Sequence, residues 1–126
     1  MAFLIDTDVL IDISRGSRAA ADFVDGLNDD ISVARISAME LIVGARDRHD
    51  QNVIEKFISL FQLVELSESV GQEAYAQAKR YSKSHGLSVA DALIAATATT
   101  NDLTLVSRNE KHFRPIRGLK FLRADY

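Results

Sequence analysis

The feature that most constrains this chain is the alternation of short apolar, strand-like segments with longer segments whose apolar residues recur at helical spacing. This pattern predicts strands at residues 2–5, 31–36, 62–66, 103–107 and 119–122. Helices are predicted at residues 9–13, 17–27, from 37 onward, 51–61, 69–85 and 88–100. Strands that alternate with helices predict an α/β fold, in which a mainly parallel twisted sheet is covered by helices on both faces.

Length and composition narrow the class of protein. The 126 residues, 47% of them hydrophobic, suffice for one buried core, so we expect a single domain over residues 1–126. The absence of cysteine excludes disulfides and thiolate zinc sites. The apolar runs are far shorter than the roughly 20 residues of a membrane span, and the N-terminal residues lack the basic region and long apolar stretch that a signal peptide has. We therefore expect a cytoplasmic protein with no membrane partner.

The net charge of −3 argues against a protein that coats nucleic acid by charge alone. The charge is, however, unevenly distributed. Residues 1–107 contain nine Lys or Arg against sixteen Asp or Glu, whereas residues 108–126 contain six against two. An acidic segment 1–107 followed by a basic segment 108–126 is compatible with a metal site next to residues that bind phosphate. A basic surface that is only solvated is an equal alternative.

Polar side chains fall at matching points of the predicted elements. Asp6 and Asp8 follow the first strand, and Asn109 follows the strand that ends at residue 107. Glu40 and Asp91 are each expected in the first turn of a helix. In a parallel sheet all these points lie at the carboxyl edge, so separate stretches of sequence are expected to form one acidic pocket.

Helix capping is the alternative explanation for these acids. Ser37-x-x-Glu40 and Ser88-x-x-Asp91 both match the capping box, and Asp6 alone could cap the next helix. The joint pattern favours a site, because burying an unpaired carboxylate after an apolar strand costs several kcal/mol. A bound divalent cation would remove that cost.

The donor chemistry indicates which cation. An all-oxygen site with few carboxylates suits Mg²⁺, with Mn²⁺ as a possible substitute. Held by Asp6, Asp91 and Glu40, such an ion could activate a water and stabilise the leaving oxygen in phosphodiester cleavage, with no side-chain nucleophile.

Four motifs together resemble a known family. They are Leu4-Ile5-Asp6-Thr7-Asp8-Val9-Leu10-Ile11, Ser37-Ala38-Met39-Glu40-Leu41, Ala90-Asp91-Ala92-Leu93-Ile94-Ala95 and Leu105-Val106-Ser107-Arg108-Asn109. In order and spacing they resemble the PIN-domain ribonucleases, and the length resembles the VapC toxins of bacterial toxin-antitoxin pairs. The resemblance implies a PIN-like three-layer sandwich and a Mg²⁺-dependent endoribonuclease acting on tRNA or rRNA. It also implies a homodimer that a small VapB-type antitoxin neutralises.

The resemblance also implies roles for individual residues. Asp6, Asp91 and Glu40 would be the catalytic acids, the first two as main metal ligands. Thr7 and Ser107 would hold the site together by hydrogen bonds. Asn109 and His112 stand where family members often carry a fourth acid, which puts a second metal in doubt. Asp8 would partly compensate for the missing fourth acid.

Further residues have expected positions around the site. Arg108, Lys111 and Arg114 follow the last site strand, where they could hold substrate phosphate. Tyr75 and Tyr81 are expected in core or dimer packing rather than in base stacking. The helices of residues 37–61, with Ile54 and Phe57, are expected to form an apolar groove for the antitoxin.

Two other functions compete with ribonuclease activity. Asp6-x-Asp8 resembles the start of haloacid-dehalogenase-type phosphatases, but neither the downstream Lys nor the second acidic pair that they need is present. A catalytically silent PIN-like module that binds RNA or protein is the other alternative.

Overall fold

The structure is a computed structural model that describes residues 2–126. Its elements alternate much as the sequence predicts. In chain order they are β1 (Phe3–Ile5), α1 (Thr7–Ser14), α2 (Arg18–Gly26), β2 (Ile31–Ala34), α3 (Arg35–Val43), α4 (Arg48–Ile58), β3 (Gln62–Val64), α5 (Glu68–His85), α6 (Val89–Thr100), β4 (Thr104–Ser107), α7 (Glu110–Phe113) and β5 (Phe121–Arg123).

Within residues 2–126 the strands form one sheet in the order β3-β2-β1-β4-β5, and every neighbouring pair is parallel. β1 lies at the centre, where Phe3 pairs with Ile31 of β2 and with Thr104 of β4. The prediction of a parallel sheet is confirmed. Since all strands point the same way, the residues that follow β1 and β4 meet at one edge.

Helices cover both faces of the sheet. Leu4 and Leu105 are fully buried on one face in a core that includes side chains of α5 and α6. Phe3 and Ile5 point to the opposite face, into a second core with side chains of α1, α2, α3 and α4. Alternate residues of a strand face opposite sides, so β1 contributes to both cores. The expected three-layer α/β sandwich is confirmed.

The structure corrects several predicted element boundaries near the sheet edge. β2 ends at Ala34, two residues before the predicted end, and α3 begins at once with Arg35. α1 begins at Thr7 rather than residue 9, because Asp6 caps it by accepting a hydrogen bond from the Thr7 N–H. The prediction missed α7, since four residues are too few for a periodic signal.

The two long helices match the prediction to within a residue. α5 ends at His85, and the residue that caps it, Gly86, has a φ of 68°, a left-handed conformation that suits glycine. Ser88 caps α6 by accepting from the Asp91 N–H, which confirms the capping role of this serine. Across residues 2–126, the model contains no helix with both the length and the apolar character that crossing a membrane requires.

Candidate active site

The site is built on the carboxyl ends of the two central strands. Asp6 directly follows β1, and Ser107 is the last residue of β4. Only 5% of Asp6 and none of Ser107 is exposed. The expectation of a buried carboxylate at the end of the first strand is thus confirmed. Burying a charged carboxylate costs free energy unless hydrogen bonds or a positive charge offset it.

Hydrogen bonds hold Asp6 in place. Its Oδ1 accepts from the Thr7 N–H at 2.8 Å, and its Oδ2 accepts from the Ser107 hydroxyl at 2.7 Å. Asp8 Oδ2 lies 3.5 Å from the same hydroxyl and accepts from the Arg108 N–H at 3.2 Å. Asp6 and Asp8 therefore both contact the Ser107 hydroxyl. We call these two residues the acid pair.

Burial makes the acid pair electrostatically unfavourable when no cation is bound. Desolvation first, and then the negative charge of Asp8, raise the pKa of Asp6 from 3.8 to about 8, although the hydrogen bonds from Ser107 and Thr7 act in the opposite direction. Burial also raises the pKa of Asp8, against the lowering effect of its hydrogen bonds to Asp6 and to backbone N–H groups. The pair therefore retains a proton at neutral pH unless a positive charge replaces it.

Glu40 reaches the site from α3, although not as the sequence predicts. It is the sixth residue of α3 rather than part of the first turn, and Ala34, not Ser37, is the N-cap. The alternative explanation of Ser37-x-x-Glu40 as a capping box is therefore wrong, because the helix starts earlier than predicted. Instead Glu40 Oε1 accepts from the Thr7 hydroxyl at 2.7 Å, and that hydroxyl lies 2.9 Å from Ser37 Oγ.

Asp91 joins the site through two residues of the β4–α7 segment. Its Oδ2 lies 3.5 Å from His112 Nδ1, and that ring nitrogen lies 2.9 Å from Asn109 Nδ2. The Asn109 N–H donates in turn to Ser107 Oγ at 2.9 Å. A continuous series of side-chain and backbone contacts thus links Asp91 to Asp6. The resemblance placed Asn109 and His112 where a fourth acid is common in the family, but the contact of His112 with Asp91 was not predicted.

The oxygen atoms at the site fit the expected divalent cation in part. Within residues 2–126, no three His, Asp or Glu side chains form a group arranged to hold a metal ion. The carboxylate of Glu40 contacts Thr7, and that of Asp91 contacts His112. Nevertheless Mg²⁺ commonly binds only one or two carboxylates and keeps several waters. The acid pair, with Asp6 buried and Asp8 half-buried, offers only oxygen ligands and fits such an ion in both charge and chemistry.

Comparisons with known proteins identify the family. The model of the PIN domain family matches residues 3–119. Ribonuclease VapC10 of Mycobacterium tuberculosis is 33% identical over 120 residues, which cover 93% of this chain and 90% of the relative. The chain belongs to the PIN domain family, in its VapC group.

Solved structures agree with this assignment. A toxin-antitoxin complex from Klebsiella pneumoniae contains a chain that is 28% identical, with a TM-score of 0.83 and 98% of both chains covered. VapBC2 from Rickettsia felis, bound to a promoter DNA fragment, has a TM-score of 0.85 over 99% of this chain and all of that chain. At 21% identity the latter likeness concerns the fold alone. Membership in the PIN family argues against the phosphatase alternative.

The predicted phosphate-binding residues of this VapC-type chain differ in their surroundings. Lys111 is exposed on α7. Arg114 pairs with Glu110 at 2.7 Å and lies 5.2 Å over the Phe121 ring. Arg108 is tied to the site itself, because its backbone N–H donates to Asp8. Of the three, Arg108 is the one that contacts the acid pair within the part of the chain that the structure describes.

A groove of about 630 Å³ lies between α1, α3 and α4, where an apolar groove was expected. Ile54 and Phe57 line it, as predicted, and so does Glu40 of the candidate site. Because Glu40 lines it, the groove opens beside the candidate active site.

The two tyrosines that were expected in core or dimer packing differ. Tyr81 is buried and its hydroxyl accepts from the Arg117 N–H, whereas Tyr75 is 74% exposed and so is not a core residue.

Proposed function

We propose that this VapC-type chain is a Mg²⁺-dependent endoribonuclease and the toxin of a type II toxin-antitoxin pair. The observation that carries the proposal is the acid pair at the carboxyl edge of the sheet of a PIN-family chain, in which Asp6 is buried and Asp8 is half-buried. Two adjacent carboxylates with raised pKa values favour the binding of a cation, because its positive charge stabilises their ionised forms. The name of the relative, Ribonuclease VapC10, supports RNA as the substrate.

The protein residues have distinct roles in this mechanism. Asp6 would hold the cation, with Asp91 and Glu40 as further ligands or as acceptors for its waters. When bound, the cation supplies positive charge to the phosphate and acidifies the attacking water. Ser107 and Thr7 keep Asp6 and Glu40 in their orientations through the hydrogen bonds described above. Because no side chain here must act as a nucleophile, the residues only position and polarise the reactants.

The substrate class we propose is structured RNA such as tRNA or rRNA loops, cut in the cytoplasm. The basic residues after β4 support an RNA partner, since phosphate contacts position nucleic acid without reading its sequence. Mn²⁺ is expected to replace Mg²⁺, because both accept oxygen ligands in octahedral geometry.

We also propose that a VapB-type antitoxin binds the groove between α1, α3 and α4. Two features support this site: its apolar wall, formed by residues such as Ile54 and Phe57, and the presence of Glu40 in the same lining. A segment bound there would lie beside the acids and block access of RNA. The chain similar to ours from Klebsiella pneumoniae was solved as a toxin-antitoxin complex.

A homodimer is the proposed assembly. Met39 and Val43 of α3 are 49% and 83% exposed, and they are one helical turn apart on the helix surface. Exposed apolar side chains at that spacing support a self-association surface. Light scattering on the purified protein tests this proposal, and a monomeric mass at micromolar concentration would contradict it.

The central test is cleavage of RNA by the purified chain, free of antitoxin, with EDTA, Mg²⁺ or Mn²⁺. We expect cleavage only with a divalent ion, and we expect Asp6→Asn and Asp91→Asn each to reduce the rate by about 100-fold or more. Asp25→Asn is the matched control, because Asp25 is an exposed acid on α2. Calorimetric titration with Mn²⁺ should show binding that Asp6→Asn removes.

Other outcomes would identify the alternatives. Metal binding and RNA binding without cleavage would indicate a silent PIN module. Hydrolysis of a small phosphomonoester through an aspartyl-phosphate on Asp6 would revive the phosphatase function. Cleavage that is unchanged in Asp6→Asn would overturn the proposed site.

A further inference from the structure

Beside the acid pair lies a second cluster, formed by three residues that are distant in sequence. Asp12 lies on α1, Arg108 follows β4 and Tyr126 follows β5. Asp12 Oδ2 accepts from the Tyr126 hydroxyl at 2.5 Å and from Arg108 Nη1 at 3.3 Å. The Arg108 guanidinium carbon lies 4.9 Å from the centre of the Tyr126 ring. Asp12 therefore holds one edge of the guanidinium, and the Tyr126 ring lies against one of its faces.

The fold places Tyr126 where it can make these contacts. The Ala124 N–H donates to the Ser107 carbonyl at 2.8 Å, which ties the segment after β5 to the end of β4. The Tyr126 ring then packs against Phe23 of α2, with 5.9 Å between ring centres. Desolvation and the hydrogen bond to Asp12 both raise the pKa of the Tyr126 hydroxyl, so it remains a donor at physiological pH.

Arg108 is fixed at both its main chain and its side chain. Its N–H donates to Asp8 of the acid pair, whereas its guanidinium contacts Asp12 and Tyr126. The side chain nevertheless remains 52% exposed, so it can be reached by a ligand. A free arginine side chain loses considerable rotamer entropy when it binds an anion, and prior immobilisation removes much of that cost.

We propose that Tyr126 is a positioning residue that, with Asp12, orients the Arg108 guanidinium to bind a phosphate of the RNA at the acid pair. This inference rests on the proposed function and deepens it. Arg108 supplies the contact with the phosphate, since a guanidinium presents several N–H donors and Asp12 accepts from one nitrogen. Tyr126 acts only through Arg108.

The proposal is tested by binding of a fluorescein-labelled RNA hairpin in EDTA, followed by anisotropy at several salt concentrations. Tyr126→Leu keeps an apolar contact for Phe23 but removes the aromatic face under Arg108. We expect Tyr126→Leu and Arg108→Ala each to weaken RNA binding about 5- to 20-fold. The double variant should bind RNA no more weakly than Arg108→Ala alone, because Tyr126 acts through Arg108. Tyr126→Phe retains the ring and should stay within about threefold of the wild type. Arg80→Ala, an exposed arginine on α5, is the control for loss of charge.

Cleavage with Mg²⁺ provides a second readout. We expect KM to rise in Tyr126→Leu while kcat changes less, because the acid pair is intact. Arg108→Ala should also lower the salt dependence of binding by about one counterion. Equal RNA affinity in the wild type and Tyr126→Leu, or additive losses in the double variant, would overturn the positioning role while leaving the nuclease intact. Wild-type protein that neither binds nor cuts RNA would overturn the proposed function and this inference with it.

Discussion

Replacing Asp6 with Asn should stabilise the metal-free protein while it removes the activity. In the fold the pKa of Asp6 is raised from 3.8 to about 8, chiefly by desolvation. Between these values the folded state retains a proton that the unfolded chain has lost. The stabilising contribution of Asp6 is therefore complete below its unfolded pKa, and it is lost as the pH rises toward 8.

The magnitude follows from the same values. One pKa unit corresponds to about 1.4 kcal/mol, so at pH 7 the metal-free protein loses about 4 kcal/mol relative to acid conditions in which Asp6 is protonated in both states. Asn is nearly isosteric with Asp. Its Oδ1 can accept from the Thr7 N–H, and its amide can donate to Ser107 Oγ, which frees the serine hydroxyl for Asp8. We expect Asp6→Asn to gain about 2–4 kcal/mol at pH 7.

Urea unfolding in EDTA, from pH 5 to pH 8, measures this effect. Wild-type stability should fall across the range, and that of Asp6→Asn should fall less. Added Mg²⁺ should stabilise the wild type but not the variant, since binding to the native state alone raises the free energy of unfolding. Asp25→Asn serves again as the exposed control. A wild-type stability that rises from pH 5 to pH 8, or an Asp6→Asn variant less stable than the wild type at pH 8, would refute the reasoning.

Three further changes test other parts of the structure. Ser107→Ala should cost about 1–3 kcal/mol in urea unfolding, because Asp6 Oδ2 and the Asn109 N–H both lose a buried partner; an unchanged midpoint would contradict this. Thr7→Val should keep the fold but reduce RNA cleavage about tenfold, since Glu40 loses its hydroxyl donor; wild-type rates would show that this contact is irrelevant. Phe57→Glu should weaken antitoxin binding at least about tenfold, measured by calorimetry, without changing cleavage by the free chain; unchanged affinity would place the antitoxin elsewhere.

The sequence alone determined the architecture and part of the site. Apolar periodicity is a local property, so it predicted the alternation of strands and helices and hence the parallel sheet. The position of Asp6 after an apolar strand, and of Asp91 three residues after the capping Ser88, was likewise local and correct. The family motifs, read in order, indicated the PIN family.

Tertiary structure decided how the acids are connected. Glu40 was misplaced in the first helical turn, because the end of β2 depends on pairing with its neighbours rather than on β propensity alone. The contacts of Asp91 with His112 and of Arg108 with Tyr126 join residues about 20 positions apart in the sequence. Asp12, which contacts Tyr126, is 114 positions away from it. No local pattern encodes such pairs. They exist because parallel strands bring the ends of remote segments to one edge, where burial raises the pKa of Asp6.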